Sequence, residues 1–465
     1  MGRSRSLCCA ALSASLASAC AIGPDYARPE GPAKPAWSEA EPAATAGDPE
    51  PALAAWWERF GDAQLTGFVE RAAGSSLDIR IAAARVEEAR ALRRVAGSEQ
   101  LPTVVLTGEA SEGMRSPGDI AFGALELLFE IDLWGRVRRS VEAARADEAA
   151  AVEDRNAVTL AVVSEVATTY VQIRGLQFGL RTVRQNLAAQ RETLELTEAQ
   201  AFVGLASDLD AQRVRALTAN TAAEIPPLEA DLAAARYRLE VLLGLPAGAL
   251  AAELAADAPI PSPPAELLVG LPADLLRRRP DVRRAERELA AETARIGAAQ
   301  AELLPRLTLV GSIGLRSQDA VEIAGGHGFG SVGPSVEWPI FAGGRILANV
   351  AAQDARAEQA AARYEQTVLG AWAEVETTLA RHAHEQVRRE ELRGAVAAQR
   401  DAAELARRLQ RSGLAPFLDV LDAERSLLLT EGRLAESETR VATTLVAVYA
   451  ALGGGWERAE ALALR

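Results

Sequence analysis

The chain has 465 residues, a formal net charge of −14 and 49% hydrophobic residues. An acidic exterior argues against a nucleic-acid surface. Cysteines confined to Cys8, Cys9 and Cys20 leave no disulfide or thiolate–metal site to brace the body of the fold. The histidines are His327, His382 and His384. The spacing of His382 and His384 does not place two ligands on one helix face, so they read as solvated surface residues. No metal and no cofactor is expected.

Residues 1–19 form an export address. Arg3 and Arg5 supply a basic start, and the apolar stretch that follows is too short to span a bilayer. Ala17-Ser18-Ala19-Cys20 is similar to a lipobox, which makes Cys20 the expected lipidated first residue of the mature chain. The alternative is an ordinary signal peptide cut after Ala-x-Ala. Residues 20–55, rich in Pro, Ala, Gly and Glu, read as an extended tether. Trp56-Trp57 opens the helical body, and residues 65–94 predict one helix, ended by Leu101-Pro102.

The period then changes to two. Leu125, Leu127, Phe129, Ile131 and Leu133 alternate with Ala124, Glu126, Leu128, Glu130 and Asp132, an apolar face against a mostly acidic one. Residues 103–107 predict a partner strand, with a turn over residues 111–119. Alternation returns in residues 306–315 and, past a glycine turn near Gly325-Gly326, in residues 331–340.

Between Arg136 and Ile225, and again between Phe341 and Ala415, there is no proline. The first of these runs predicts a helix from about residue 136 to 202, roughly 100 Å long at about 1.5 Å per residue. Gly204 and Gly413 stand where each long helix must reverse. A second helix follows each turn, over residues 207–243 and 417–452, the first kinked at Pro226-Pro227.

The chain says all this twice. Asp78-Ile79-Arg80 returns as Asp281-Val282-Arg283 and Leu101-Pro102 as Leu304-Pro305, with the same offset (281 − 78 = 203; 305 − 102 = 203). Gly204-Leu205-Ala206-Ser207 returns as Gly413-Leu414-Ala415-Pro416 (413 − 204 = 209). A repeat of that length is a duplicated domain: residues 56–244 and 265–456, joined by a proline-rich linker at 245–264 and followed by a tail at 457–465.

There is no Walker loop, H-E-x-x-H, C-x-x-C or G-x-S-x-G motif. The function is therefore read as architectural, not enzymatic. If the strands cross a bilayer, four of them cannot do so as an open sheet, because unpaired edge groups in hydrocarbon cost several kcal/mol each. The barrel must then close between chains.

Seven motifs, in order, carry a family resemblance. They are Cys20-Ala21-Ile22-Gly23-Pro24-Asp25-Tyr26; Trp56-Trp57 with Phe60-Gly61-Asp62; Ile131-Asp132-Leu133-Trp134-Gly135-Arg136; and Ile225-Pro226-Pro227-Leu228-Glu229. The rest are Arg278-Arg279-Pro280-Asp281-Val282-Arg283; Trp338-Pro339-Ile340-Phe341 with Gly343-Gly344-Arg345; and Ala451-Leu452-Gly453-Gly454-Gly455-Trp456. The chain resembles the outer-membrane efflux lipoproteins of the TolC-type outer-membrane factor family, the NodT-like relatives included.

The resemblance implies a mainly α fold with a small transmembrane β portion. It implies a homotrimer with a twelve-stranded β-barrel, four strands per chain, and a long-helix α-barrel in the periplasm. It also implies partners: outer-membrane lipid, a periplasmic adaptor protein and an inner-membrane pump of the resistance-nodulation-division class. The duct would pass small molecules outward. The two tips, Gly204-Leu205-Ala206-Ser207 and Gly413-Leu414-Ala415-Pro416, match the family's adaptor-contacting turns. Leu418 and Asp422 match its periplasmic gate, and Arg213, at the equivalent place in the first repeat, becomes a partner for Asp422 or another acidic tip residue. A type I protein-secretion duct and a pore-free periplasmic coiled-coil scaffold are the rival readings.

Overall fold

The computed structural model describes residues 21–29, 37–38, 53–111, 120–262, 277–317 and 325–463. Cys20 and most of the 111–119 turn lie outside the described residues. The elements run α1 (Ala63–Ser75), α2 (Leu77–Ser98), β1 (Thr103–Ser111), β2 (Ile120–Ile131), α3 (Arg136–Phe202), α4 (Asp208–Ala223) and α5 (Ile225–Leu242). They continue with α6 (Pro280–Ala301), β3 (Arg306–Ser317), β4 (His327–Glu337), α7 (Arg345–Arg411), α8 (Phe417–Ala451) and α9 (Trp456–Ala463). Both α3 and α7 are 67 residues long, so the two proline-free runs are continuous helices in both repeats.

Three predicted elements differ. The single helix expected over residues 65–94 is two, because Ser76 leaves the helical region at φ −59°, ψ 131°. Gly74, Ser75 and Ser76 are poor helix formers, and the Ser75 hydroxyl bonds the carbonyls of Arg71 and Leu243 instead. The helix after the first tip is not kinked but interrupted at Glu224. Pro226 and Pro227 fall in the first turn of α5, where a missing N–H costs nothing. The tail contains a helix, α9, whose Ala459 is fully buried.

The chain divides into two compact units, one built of residues 1–32, 83–154 and 281–368, the other of 33–82, 155–280 and 369–465. In the second unit the core centres on Trp56 and Trp57, both fully buried, with Trp56 stacked on Tyr449 at 5.3 Å. Gly455 (φ +104°) lets the backbone pass these rings; a Cβ there would stand 2.8 Å from Trp56 Nε1.

The linker in this unit is docked, not free. Glu240, 1% exposed, accepts from the backbone N–H of Gly248 (2.8 Å) and Leu250 (2.9 Å). Arg174, 2% exposed, donates to the Ala256 carbonyl (2.8 Å), to Gln177 (2.6 Å) and to Gln64. It also donates to the Tyr170 hydroxyl, which bonds Asp62 at 2.9 Å. Burial raises the Tyr170 pKa to about 12, so the phenol keeps its proton as donor.

His382 is not a surface residue. It is 6% exposed, accepts from or donates to Thr444 (3.1 Å) and meets Gln386 at 2.8 Å. Burial lowers its pKa, and it stays neutral in the α7–α8 interface. The helical stripe at that position, not the His-x-His spacing, decided its place.

Candidate functional site: a two-faced sheet and two helical tips

In the first unit the four strands form one antiparallel sheet, β1-β2-β3-β4. The pairing of β2 with β3 joins the two repeats. Its register lines up apolar residues of all four strands on one face. Val104 pairs with Leu127, Leu127 with Gly311, and Gly311 with Val332. The next rungs on that face are Leu106–Leu125–Ile313–Gly330 and Phe129–Leu309–Pro334. The opposite face carries Thr107, Glu109, Glu126, Glu130, Thr308, Ser312, Ser331 and Glu337.

The apolar face is open. Leu106 is 77% exposed, Val332 76% and Ile313 66%. An uncovered apolar sheet face of this kind marks a membrane or partner surface. The parity read from the sequence is the parity observed, and β1 and β4 remain unpaired edges.

The strand-to-helix junction is built from the Ile131–Arg136 motif. Arg136 holds Glu130 with two bonds, at 2.9 and 2.8 Å, and Glu99 at 2.9 Å. The Arg138 backbone N–H donates to Asp132 (2.9 Å), and the Trp134 indole donates to the Pro305 carbonyl (2.8 Å).

Residues 21–29, the start of the expected extended tether, are pinned here. The Ile22 N–H donates to the Trp134 carbonyl (3.0 Å), and Arg139 holds the Ile22 and Gly23 carbonyls and Asp25. Tyr26 and Arg28 both reach Glu286. Burial, with the Glu286 carboxylate, pushes the Tyr26 hydroxyl up to about 12. Gly135 makes the approach possible, since a Cβ on it would lie 2.9 Å from the Ala21 Cβ.

In the second unit the tips reverse as expected. Gly204 and Gly413 take φ +77° and +72°, a conformation that Cβ sterics make costly for other residues. Ser207 caps α4, accepting from the Asp210 N–H (3.2 Å), and Pro416 caps α8 without a side-chain bond. Phe202, Leu205 and Leu414 are 93%, 80% and 76% exposed, so both turns end in uncovered apolar side chains.

Arg213, Leu418 and Asp422 line one groove of about 620 Å³ between α4 and α8, with Asn220, Glu224 and Arg425. The structure thus brings all three gate candidates together. Arg213 pairs with Asp210 at 3.7 Å, the acidic-tip alternative and not Asp422. Sequence reasoning missed the Arg174 and Glu240 anchors, because nothing local to a helix signals a buried charge.

The chain is mostly helical with an uncovered apolar sheet face, and no helix among the described residues is long and apolar enough to cross a membrane. It belongs to the Outer membrane efflux protein family, whose pattern it matches over residues 68–245 and 271–454. It is 32% identical to Nodulation protein T of Rhizobium leguminosarum bv. trifolii, covering 95% of this chain and 96% of that one. It is 31% identical to the toluene efflux pump outer membrane protein TtgF of Pseudomonas putida, over 96% of each chain. Among solved structures, the outer-membrane channel OprN superposes with a TM-score of 0.86 at 35% identity, over 94% of this chain and 100% of that one. The open-state MtrE channel of Neisseria gonorrhoeae gives 0.83 at 26%, over 94% and 99%. The chain is an efflux channel of the outer membrane.

Proposed function

We propose that three copies close into the exit duct of a tripartite efflux system. The observation that carries this is the sheet: wholly apolar on one face, with both edges open. In hydrocarbon an open edge is untenable, so β4 must pair with β1 of a second copy. Three copies give twelve strands, with the apolar face to lipid and the polar face to the lumen. The helices would continue the wall into the periplasm.

The duplication supports a register for the missing pair. Within the chain, β2 of one repeat meets β3 of the next, with Phe129 opposite Leu309. Carrying β3 back by the repeat offset turns Leu309 into Leu106 (309 − 203 = 106). The turn Leu133 N–H to Ile131 carbonyl recurs as Ile340 N–H to Trp338 carbonyl, which turns Phe129 into Val336 (129 + 207, from 340 − 133). Val336 of one copy therefore faces Leu106 of the next.

Cys20 is the only other cysteine of the mature chain, so Leu106→Cys with Val336→Cys should oxidise to a covalent trimer on non-reducing gels. Leu106→Cys with Val332→Cys, displaced about 13 Å along the strand, should not. A native trimer without the cross-link refutes the register; a monomer refutes the trimer.

The exposed Phe202, Leu205 and Leu414 at the two turns support docking of a periplasmic adaptor there, through residues 204–207 and 413–416. The groove holding Arg213, Leu418 and Asp422 supports a periplasmic gate just behind. An inner-membrane pump of the resistance-nodulation-division class would supply the energy. The toluene efflux of the relative TtgF favours small-molecule cargo over secreted protein.

Ala21, held against Gly135 where β2 ends, supports a lipid on Cys20 at the membrane rim. Such a chain adds an anchor to a barrel that already spans. The mass of the mature N-terminus checks it: an unmodified terminus removes the anchor from the proposal.

A further inference from the structure

Among the described residues, the polar face of the sheet carries one arginine that the strand–helix junction does not use. At the end remote from the helices, one rung reads Glu109–Phe122–Arg316–His327 across all four strands. The neighbouring rung on the same face is Thr107–Ala124–Gly314–Phe329. Arg316 lies diagonal to Phe329, and its guanidinium carbon sits 5.4 Å from that ring's centroid.

The small residues between the two aromatics let this part of the face pack tightly. A Cβ on Gly314 would meet the Ala124 Cβ at 2.8 Å, and Ala124 is 3% exposed. Arg316 itself is exposed. Stacking on a ring holds a guanidinium in place while leaving its edge N–H donors free. Among the described residues Arg316 has no carboxylate partner. Glu109, two strands away, is about 10 Å off.

The rest of the polar face differs. Glu130 is engaged by Arg136 and by Arg306 at 3.5 Å, and Glu126 accepts from Thr107 at 3.2 Å. Arg306 is thus neutralised, and Arg316 alone among the described strand cations presents free donors to the space this face lines. In a chain of net charge −14 this sets a cation with free donors on an otherwise carboxylate-bearing face, with Glu109 on the same rung.

We propose that Arg316, stacked on Phe329 beside Phe122, forms an anion-accepting aromatic collar at the outer mouth of the duct, fitted to solutes that join an aromatic ring to a carboxylate or sulfonate. The proposal rests on the polar face lining the lumen of the trimer. Three copies put three guanidinium groups around one rung. Each can receive an anionic group bidentately, while the phenyl rings offer apolar faces to the solute's ring. An otherwise acidic duct would repel such a solute; the collar offsets that repulsion near the end of the sheet remote from the helices.

The test uses full-length protein in planar bilayers. Salt is held near 0.1 M, where screening extends over about 10 Å. The readouts are the chloride-to-potassium permeability ratio and current block by 2-naphthalenesulfonate. Arg316→Gln should lower the ratio by about twofold or more and abolish the block. Arg316→Lys should keep the ratio and weaken the block several-fold, as should Phe329→Leu. Native trimer levels report folding of each variant. Channels whose ratio and block are unchanged in Arg316→Gln overturn the collar and leave the duct standing. Wild-type protein that forms no channel overturns the duct reading itself.

Discussion

Leu127→Arg is expected to remove most assembled trimer from the outer membrane, whereas Glu126→Arg, one residue away, is expected to leave it near the wild-type level. Leu127 lies in the rung Val104–Leu127–Gly311–Val332, at the middle of the apolar face. An arginine at the bilayer midplane costs about 2–4 kcal/mol in a transmembrane barrel, and a trimer bears that cost in every copy. Gly311 leaves the space beside Leu127 bare: a Cβ there would be 3.6 Å from the Leu127 Cβ. No neighbouring side chain can shield the new charge. Glu126 points the other way and loses only its bond to Thr107. Heat-modifiable trimer in outer-membrane fractions measures both variants. Equal yields would reverse the assignment of the two faces.

The second large effect is expected at the groove behind the tips. Leu418 is 50% exposed on α8, and Asp422 follows one turn later on the same face. In the proposed trimer the three leucines would narrow the lumen by packing and dewetting, and the carboxylates would favour cations. Leu418→Ala with Asp422→Ala should raise single-channel conductance and weaken cation preference. It should also sensitise cells to large antibiotics that can then enter through the duct. Arg213 adds a control. Because it pairs with Asp210, Arg213→Ala alone should change conductance less than the double variant does. Normal trimer with unchanged conductance and selectivity in the double variant would move the constriction elsewhere along the tube.

The particular elements show what was legible and what was not. The α3 and α7 helices could be read because proline is excluded over a whole run, and a run of that length has no compact alternative. The reversals at Gly204 and Gly413 were legible because a positive φ has few other occupants. The breaks at Ser76 and Glu224 were not. Each is settled by a partner far along the chain or by a cap, and local propensity there is nearly balanced. His382 was misread for a related reason: three or four residues decide a helix face, but only the helix packed against it decides whether that face is dry.

By itself the sequence determined the duplication, the long helices, the two turns and which strand residues share a face, because all of these are local properties of period, proline and glycine. Only the tertiary structure decided that β2 pairs with β3 and so joins the repeats into one sheet with two open edges. It alone showed Glu240 and Arg174 binding the linker down, and residues 21–29 lying pinned beside Gly135. It alone set Arg316 against Phe329. These depend on strand register and on contacts between residues tens to hundreds of positions apart, and such contacts leave no period in the chain.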